Sequence, residues 1–358
     1  MNRVLMLGWD GATWTLLKPW IEEGLLPNMA RLVQGGASAA LTTTIPPVSA
    51  SAWISFATGC NPGQHGVFDF VFPLPGKYDV GVTNVTLRAM PPFWNVIQRA
   101  GGQVGLVSIP ITEPPQPVQG FIVCGFLVPN PEYEYTYPQS LKQELLAKVG
   151  DWPVHEAEEH RTVDNARFCA DMLHFDARRT EHVLYLMRTR PWDFLGFVMK
   201  STDTLQHEIW QYLDSTHPRY DAAEATRMLP AIRTFYAGLD QCVGKLVAAA
   251  GPDVTVVILS DHGFGPFHKF FHTNNWLHQL GLLQFKRGLL SLGKRAAFRA
   301  GATPVNVMKL SKTFNLKGYH YPETVAGGRC VNCHFCEVLC PEFAIFSVAE
   351  EEEKVEKR

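Results

Sequence analysis

The chain has 358 residues, 46% of them hydrophobic and only 18% charged, with 32 Lys and Arg against 34 Asp and Glu for a formal net charge of -2. That balance excludes a disordered chain, and the lack of a basic excess argues against a general nucleic-acid binder. At roughly 100–200 residues per domain, the length suits two domains, or one large α/β domain with an appendage.

The chain opens on the apolar run Val4–Trp9, which reads as a strand and is too short for a signal segment. No stretch approaches the ~18 uninterrupted apolar residues of a membrane span. A cytoplasmic protein without a membrane span is expected. Further strands are expected at Val104–Ile109, Phe121–Gly125, Phe194–Met199 and Val254–Ser260, each apolar on both faces as buried parallel strands are. Helical patterns separate them at Asn28–Gln34, Ser51–Ala57, Pro92–Ala100, Asn165–Thr189 and Leu229–Ala250. Alternation of this kind predicts a layered α/β sandwich around a mostly parallel sheet, with ligands at the strand ends.

Chemistry-bearing residues fall where such a sheet would present them. Asp10 follows the first strand, beside Gly11. Ser49 follows Pro46-Pro47-Val48 at or near a helix start, where free N–H groups and the helix dipole favour an anion or a developing alkoxide. The alternative is that Ser49 or Ser51 merely caps that helix. Asp203 and His207 stand four apart just after the strand Phe194–Met199; on a helix they would share one face and could share a metal. Asp261 and His262 end the run Val254–Ser260, followed by Gly263. Carboxylate and imidazole ligands suit Zn²⁺, Mn²⁺ or Fe²⁺, and two such metals can clamp the attacking and leaving oxygens of a displacement at phosphorus.

These segments, with Thr58-Gly59, His65-Gly66, Leu26-Pro27-Asn28-Met29-Ala30-Arg31-Leu32 and Pro110-Ile111-Thr112-Glu113-Pro114-Pro115, resemble the alkaline phosphatase superfamily over about residues 1–315. They look most like its type I phosphodiesterase/nucleotide pyrophosphatase branch. The resemblance implies a three-layer α/β/α sandwich and a metal-dependent phosphoric-ester hydrolase using two divalent metals, Zn or Mn. It implies that Ser49 is the nucleophile, forming a phosphoseryl intermediate. It implies that Asp10, Asp261 and His262 hold one metal with Ser49, while Asp203 and His207 begin the other shell. The family completes that second shell with another His late in the chain, but no segment after Lys317 resembles it; His268, His272 and His320 are the substitutes available, and a one-metal or inactive form is the alternative. Phe70 stands where the nucleotide pyrophosphatases usually carry an Asn that steadies a phosphate oxygen.

Beyond Leu283 the character changes. Residues 286–317 hold eight Lys and Arg and no acid, and read as a basic connector of two short amphipathic helices broken at Thr303-Pro304. The run Cys330, Cys333, Cys336 and Cys340-Pro341 then fits C-x2-C-x2-C-x3-C-P. That spacing suits an iron–sulfur cube, with a four-thiolate zinc site as the alternative. The segment at about residues 318–350 resembles bacterial-type 4Fe-4S ferredoxins, in particular the small subunit of 2-oxoacid:ferredoxin oxidoreductases. In two-cluster ferredoxins the fourth Cys serves the other cluster, so a second cluster-bearing subunit or redox partner is implied.

The expected organisation is a C-terminally truncated hydrolase domain over residues 1–285, the connector over 286–317, and a ferredoxin-like segment with a charged tail over 318–358. The join near Lys317 is expected to be a gene fusion or a junction of assembled sequence. The preferred function is the hydrolase acting on a phosphate-ester small molecule. The alternatives are an electron-transfer subunit with a non-catalytic large domain, and a phosphomutase of the same superfamily.

Overall fold

Placing Asp10, Asp203 and Asp261 together requires their three preceding strands to be neighbours and parallel, and they are. A computed structural model describes residues 2–74, 80–155, 161, 164–269 and 271–284, with the backbone of 308–314 and 320–324. In chain order the elements are β1 (Val4–Trp9), α1 (Trp14–Glu22), α2 (Pro27–Gly35), α3 (Ser49–Thr58), α4 (Pro62–His65), β2 (Val71–Pro73) and β3 (Val80–Val82). There follow α5 (Trp94–Arg99), β4 (Val104–Val107), β5 (Gly120–Val123), β6 (Thr136–Tyr137), α6 (Ser140–Lys148) and α7 (Asn165–Thr189). The rest are β7 (Phe194–Met199), α8 (Ser201–Leu213), α9 (Ala222–Ala250), β8 (Thr255–Leu259), α10 (Thr273–Gln279), β9 (Met308–Phe314) and β10 (His320–Thr324).

The chain divides into two compact units, Met1–Phe70 with Val82–His268, and Val71–Gly81 with Lys269–Arg358. The first contains a six-stranded sheet in the order β6-β5-β4-β7-β1-β8. All its neighbours pair parallel except the two-residue β6, which runs against β5. The central strands are sealed on both faces: every residue of β4 and β7 is buried. Around them the core gathers Leu5, Leu7, Trp53, Phe121, Phe197 and Tyr236. In α7 and α9 the inward stripe recurs at helical spacing, with Phe168, Met172, Phe175 on one and Ile232, Phe235, Leu239 on the other.

The expected buried strand Val254–Ser260 needs correction. β8 is the sheet's edge, so its apolar residues are covered on only part of their surface, and Val257 is 38% exposed. In the second unit, Met308–Phe314 is a strand paired antiparallel with His320–Thr324, where an amphipathic helix was expected. Its alternation Met-Lys-Leu, and its Thr, suit an extended chain as well as a helix. Apart from the backbone of β10, the segment 318–358 and its four Cys lie outside the described residues.

Candidate metal centre at three strand ends

β1 lies between β7 and β8, with Trp9 in register with Met199 and Gly8 with Leu259. Asp10, the Lys200–Asp203 turn and Asp261 therefore leave the sheet at one edge. Backbone and side-chain ties fix this corner. The Asp10 N–H donates to the Met199 carbonyl at 3.1 Å, and the Thr202 hydroxyl donates to the Asp10 carbonyl at 2.6 Å. Gln206 on α8 donates to the Gly11 carbonyl at 2.9 Å. Gly11 has φ +67°, and a Cβ there would stand 3.1 Å from Asp203 Oδ1. Glycine is thus required both for the turn and for the approach of Asp203.

Asp10 is fully buried. Its Oδ2 accepts from the Trp53 indole at 2.8 Å and its Oδ1 from the Ser49 hydroxyl at 3.2 Å. Asp261 is held by the Gly11 N–H, which donates to Oδ1 at 3.2 Å. His262 Nδ1 lies 2.8 Å from the Gly263 carbonyl, which can only accept, so Nδ1 carries the proton of the neutral ring. Nε2 then turns its lone pair inward, where it and Asp10 Oδ1 compete for the single Ser49 hydroxyl proton. It lies 3.1 Å from Ser49 Oγ, 3.6 Å from Asp10 Oδ1, 3.6 Å from Asp261 Oδ2 and 3.8 Å from Asp203 Oδ1. On the outer side, His207 Nε2 stands 3.5 Å from Asp203 Oδ1.

Ser49 is the first residue of α3, after Val48 in extended conformation. It does not cap the helix: α3 has no side-chain cap, and Ser51 donates to the Pro46 and Val48 carbonyls. The Ser49 hydroxyl is left for Asp10 and His262. Thr58-Gly59 closes α3, with Gly59 left-handed at φ +67°. His65 is buried and neutral in character: Nδ1 accepts from the Val67 N–H at 3.1 Å, so Nε2–H donates to Ser55 Oγ at 2.9 Å, and burial lowers its pKa. It ties α4 to α3.

The electrostatics of the corner are those of carboxylates short of positive charge. Burial pushes Asp10 well above the usual carboxylate range, and Asp261 and Asp203 push it further; Trp53 and Lys200 oppose. Burial likewise raises Asp261, against His262 and the Gly11 N–H. Burial also acts to raise Asp203, but His207, His262 and Lys200 outweigh it and its pKa falls. Asp203 Oδ1 and Asp261 Oδ2 are buried without a hydrogen-bond donor. Ligand atoms of Asp10, Asp203 and His262 all lie within 4.8 Å of one another. A divalent cation fits this donor set: it would satisfy the orphaned oxygens and relieve the repulsion together.

Two residues here were not singled out from sequence. Trp53 reads as a core aromatic, which it is, but its N–H also orients Asp10. Lys200 directly precedes α8 and sends its ammonium over the Phe126 ring at 5.1 Å; Phe126 in turn stacks on Phe70 at 6.4 Å. A Lys closing an apolar strand beside acidic residues was the available signal. Phe264 sits against both His207 and Trp210, at 4.9 and 5.2 Å between ring centroids. Of the expected late histidines, His268 acts electrostatically on Asp214 and His217. His272 precedes α10 and His320 opens β10, both in the second unit. Among the described residues no group of three ligands includes His207, His268 or His272.

A mostly parallel α/β sheet whose strand ends gather carboxylates, imidazoles and a helix-borne Ser is the arrangement of the alkaline phosphatase superfamily. Residues 4–317 match the type I phosphodiesterase / nucleotide pyrophosphatase family model, and the chain belongs to that family. The match ends short of the cysteine run. No curated protein matches the chain significantly in sequence. Among solved structures it is similar to phosphonoacetate hydrolase from Sinorhizobium meliloti 1021 in complex with phosphonoacetate. That likeness has a TM-score of 0.52 and 16% identity over 78% of this chain and 62% of that one. The same hydrolase in complex with phosphonoformate gives a TM-score of 0.49 at 16% identity, over 77% and 61%. The chain spans about 62% of that protein's length, and at this identity the likeness is one of fold.

Proposed function

We propose that the chain is a metal-dependent phosphoric-ester hydrolase in which Ser49 attacks phosphorus. The observation that carries this reading is the Ser49 hydroxyl. It is 7% exposed at the start of α3, does not cap it, and lies 3.2 Å from Asp10 Oδ1 and 3.1 Å from His262 Nε2. Asp10, Asp203, Asp261 and the His262 Nε2 lone pair would hold one divalent cation, with Asp203 and His207 reaching toward a second. Bound there, such a cation supplies Lewis-acid polarisation of the phosphoryl group.

The chain's own residues supply position and proton handling. Asp10 Oδ1 accepts the Ser49 hydrogen bond, so it is the nearest carboxylate to the proton that leaves as the P–O bond forms. The ester P–O bond breaks as the phosphoseryl bond forms, and the leaving alkoxide takes a proton from water. Water then cleaves the phosphoserine, restoring Ser49 and releasing phosphate or a phosphomonoester. The first-turn N–H groups of α3 and the Lys200 ammonium suit the negative oxygens of the transferring group. The four Cys from Cys330 to Cys340 keep their iron–sulfur reading on spacing alone; iron and sulfide analysis of the purified chain tests it.

The test of the main reading is hydrolysis of para-nitrophenyl phosphate and bis-para-nitrophenyl phosphate with Zn²⁺ or Mn²⁺. Ser49→Ala is expected to lower kcat by at least about 10³-fold with metal content unchanged. Equal activity of Ser49→Ala and the parent would overturn it.

A further inference from the structure

A cavity of about 200 Å³ lies on the sheet face at β4 and β5 and shares no residue with the metal corner. Its floor is Leu106 and Ile122, register partners on the two strands. Trp94 and Asn95, at the start of α5, and Val118 form walls, with Val85, Thr112, Gln116 and Pro117 beside them, and Arg88 is the one charged residue of the lining. The Arg88 guanidinium stands over the Trp94 ring, 5.7 Å from its centroid. Among the described residues it makes no hydrogen bond or ion pair, and no acidic side chain lines the cavity. Burial pulls its pKa down, the mark of a cation partly stripped of water without a counter-charge.

The cavity is built rather than accidental. Thr112 in its wall is locked, its hydroxyl donating to the Ile109 carbonyl at 2.8 Å and accepting from the Gly125 N–H at 3.2 Å. Val85 is pinned by its N–H to the Glu113 carbonyl at 3.0 Å. An apolar floor, an aromatic wall and one unpaired guanidinium define a ligand that is apolar at one end and anionic at the other. A dry cavity of roughly 150 Å³ takes a benzene molecule, so this one takes a ring of that size with a small anionic group.

We propose that this cavity binds a small organic monocarboxylate with an apolar body about as large as a phenyl ring, its carboxylate paired with Arg88. A guanidinium meets a carboxylate through two parallel N–H···O bonds, which gives the site orientation as well as charge selectivity.

Titration calorimetry of the full chain with benzoate tests this, with benzyl alcohol as the uncharged body. Benzoate is expected to bind one to one and saturably, about tenfold or more tighter than benzyl alcohol. Arg88→Met is expected to weaken benzoate by about tenfold or more while leaving benzyl alcohol unchanged. Val118→Phe, which fills the cavity from a half-buried position, is expected to abolish both. Cooperative thermal unfolding of each variant confirms that it folds. No saturable benzoate binding to the parent chain, undiminished binding to Arg88→Met, or binding retained by Val118→Phe would each overturn the proposal.

Discussion

On the inner side of Asp203, Asp10 and Asp261 are held by an indole N–H, a backbone N–H and a serine hydroxyl, and His262 is set in one tautomer by a carbonyl. On its outer side stands His207, with a side chain 58% exposed and a 3.5 Å approach to the carboxylate as its polar contact among the described residues. The inner half is preorganised by groups that cannot move without disturbing the core. The outer half is a helix-borne imidazole whose position rests on α8 and on Phe264. Rigidity in this corner follows burial, and a cation should hold far better where the ligands are already locked.

The contrast can be broken by comparing losses. Asp10→Asn is expected to reduce Zn²⁺ or Mn²⁺ affinity by about 100-fold or more in chelator competition, because it removes a buried charge at the centre of the cluster. The same variant is expected to raise the unfolding temperature of the metal-free protein, since one of three mutually repelling carboxylates is gone. His207→Ala is expected to cost only about tenfold in the same titration. Equal losses from the two variants would erase the distinction between the halves.

Away from this corner, a smaller effect separates burial from function. Glu113 is 5% exposed, its Oε2 has no donor, and burial pushes its pKa up to about 8. The folded chain therefore keeps a proton that the unfolded chain has released near its ordinary range. Stability attributable to this group is greatest below that range, declines as pH rises toward about 8, and levels off above it. Glu113→Gln, which cannot ionise, is expected to flatten this decline. Its stability relative to the parent rises by on the order of 2–4 kcal/mol between pH 4 and pH 9 in denaturant unfolding. A constant difference across that range would show that Glu113 does not titrate as described.

Much of the sheet was legible because buried parallel strands are apolar runs with sharp ends. Val4–Trp9 and Phe194–Met199 fall as read, and so does the helix Asn165–Thr189. Val104–Ile109 was read two residues too long because Ser108 leaves the strand at φ +55°. α1 was invisible because Pro19 interrupts it, and α9 begins at Ala222 although Pro230 inside it reads as a start. α8 was read only conditionally, since Ser201-Thr202-Asp203 resembles a cap more than a helix interior. At the site, the residue types and their strand ends were readable. The sharing of Asp203 between two imidazoles was not, because it depends on which strands are neighbours. Spacing along the chain carries no such information.

The contact between Gly8 and Trp53 sets the reach of the site. A Cβ at residue 8 would fall 2.4 Å from the indole, so the ring rests directly on the bare backbone of β1. Ser49 is one helical turn earlier on the same face of α3. The helix acts as a lever whose fulcrum is the indole and whose tip carries the hydroxyl. A methyl group at position 8 would lift the fulcrum and swing the tip away from Asp10, with no change to any residue that touches a ligand.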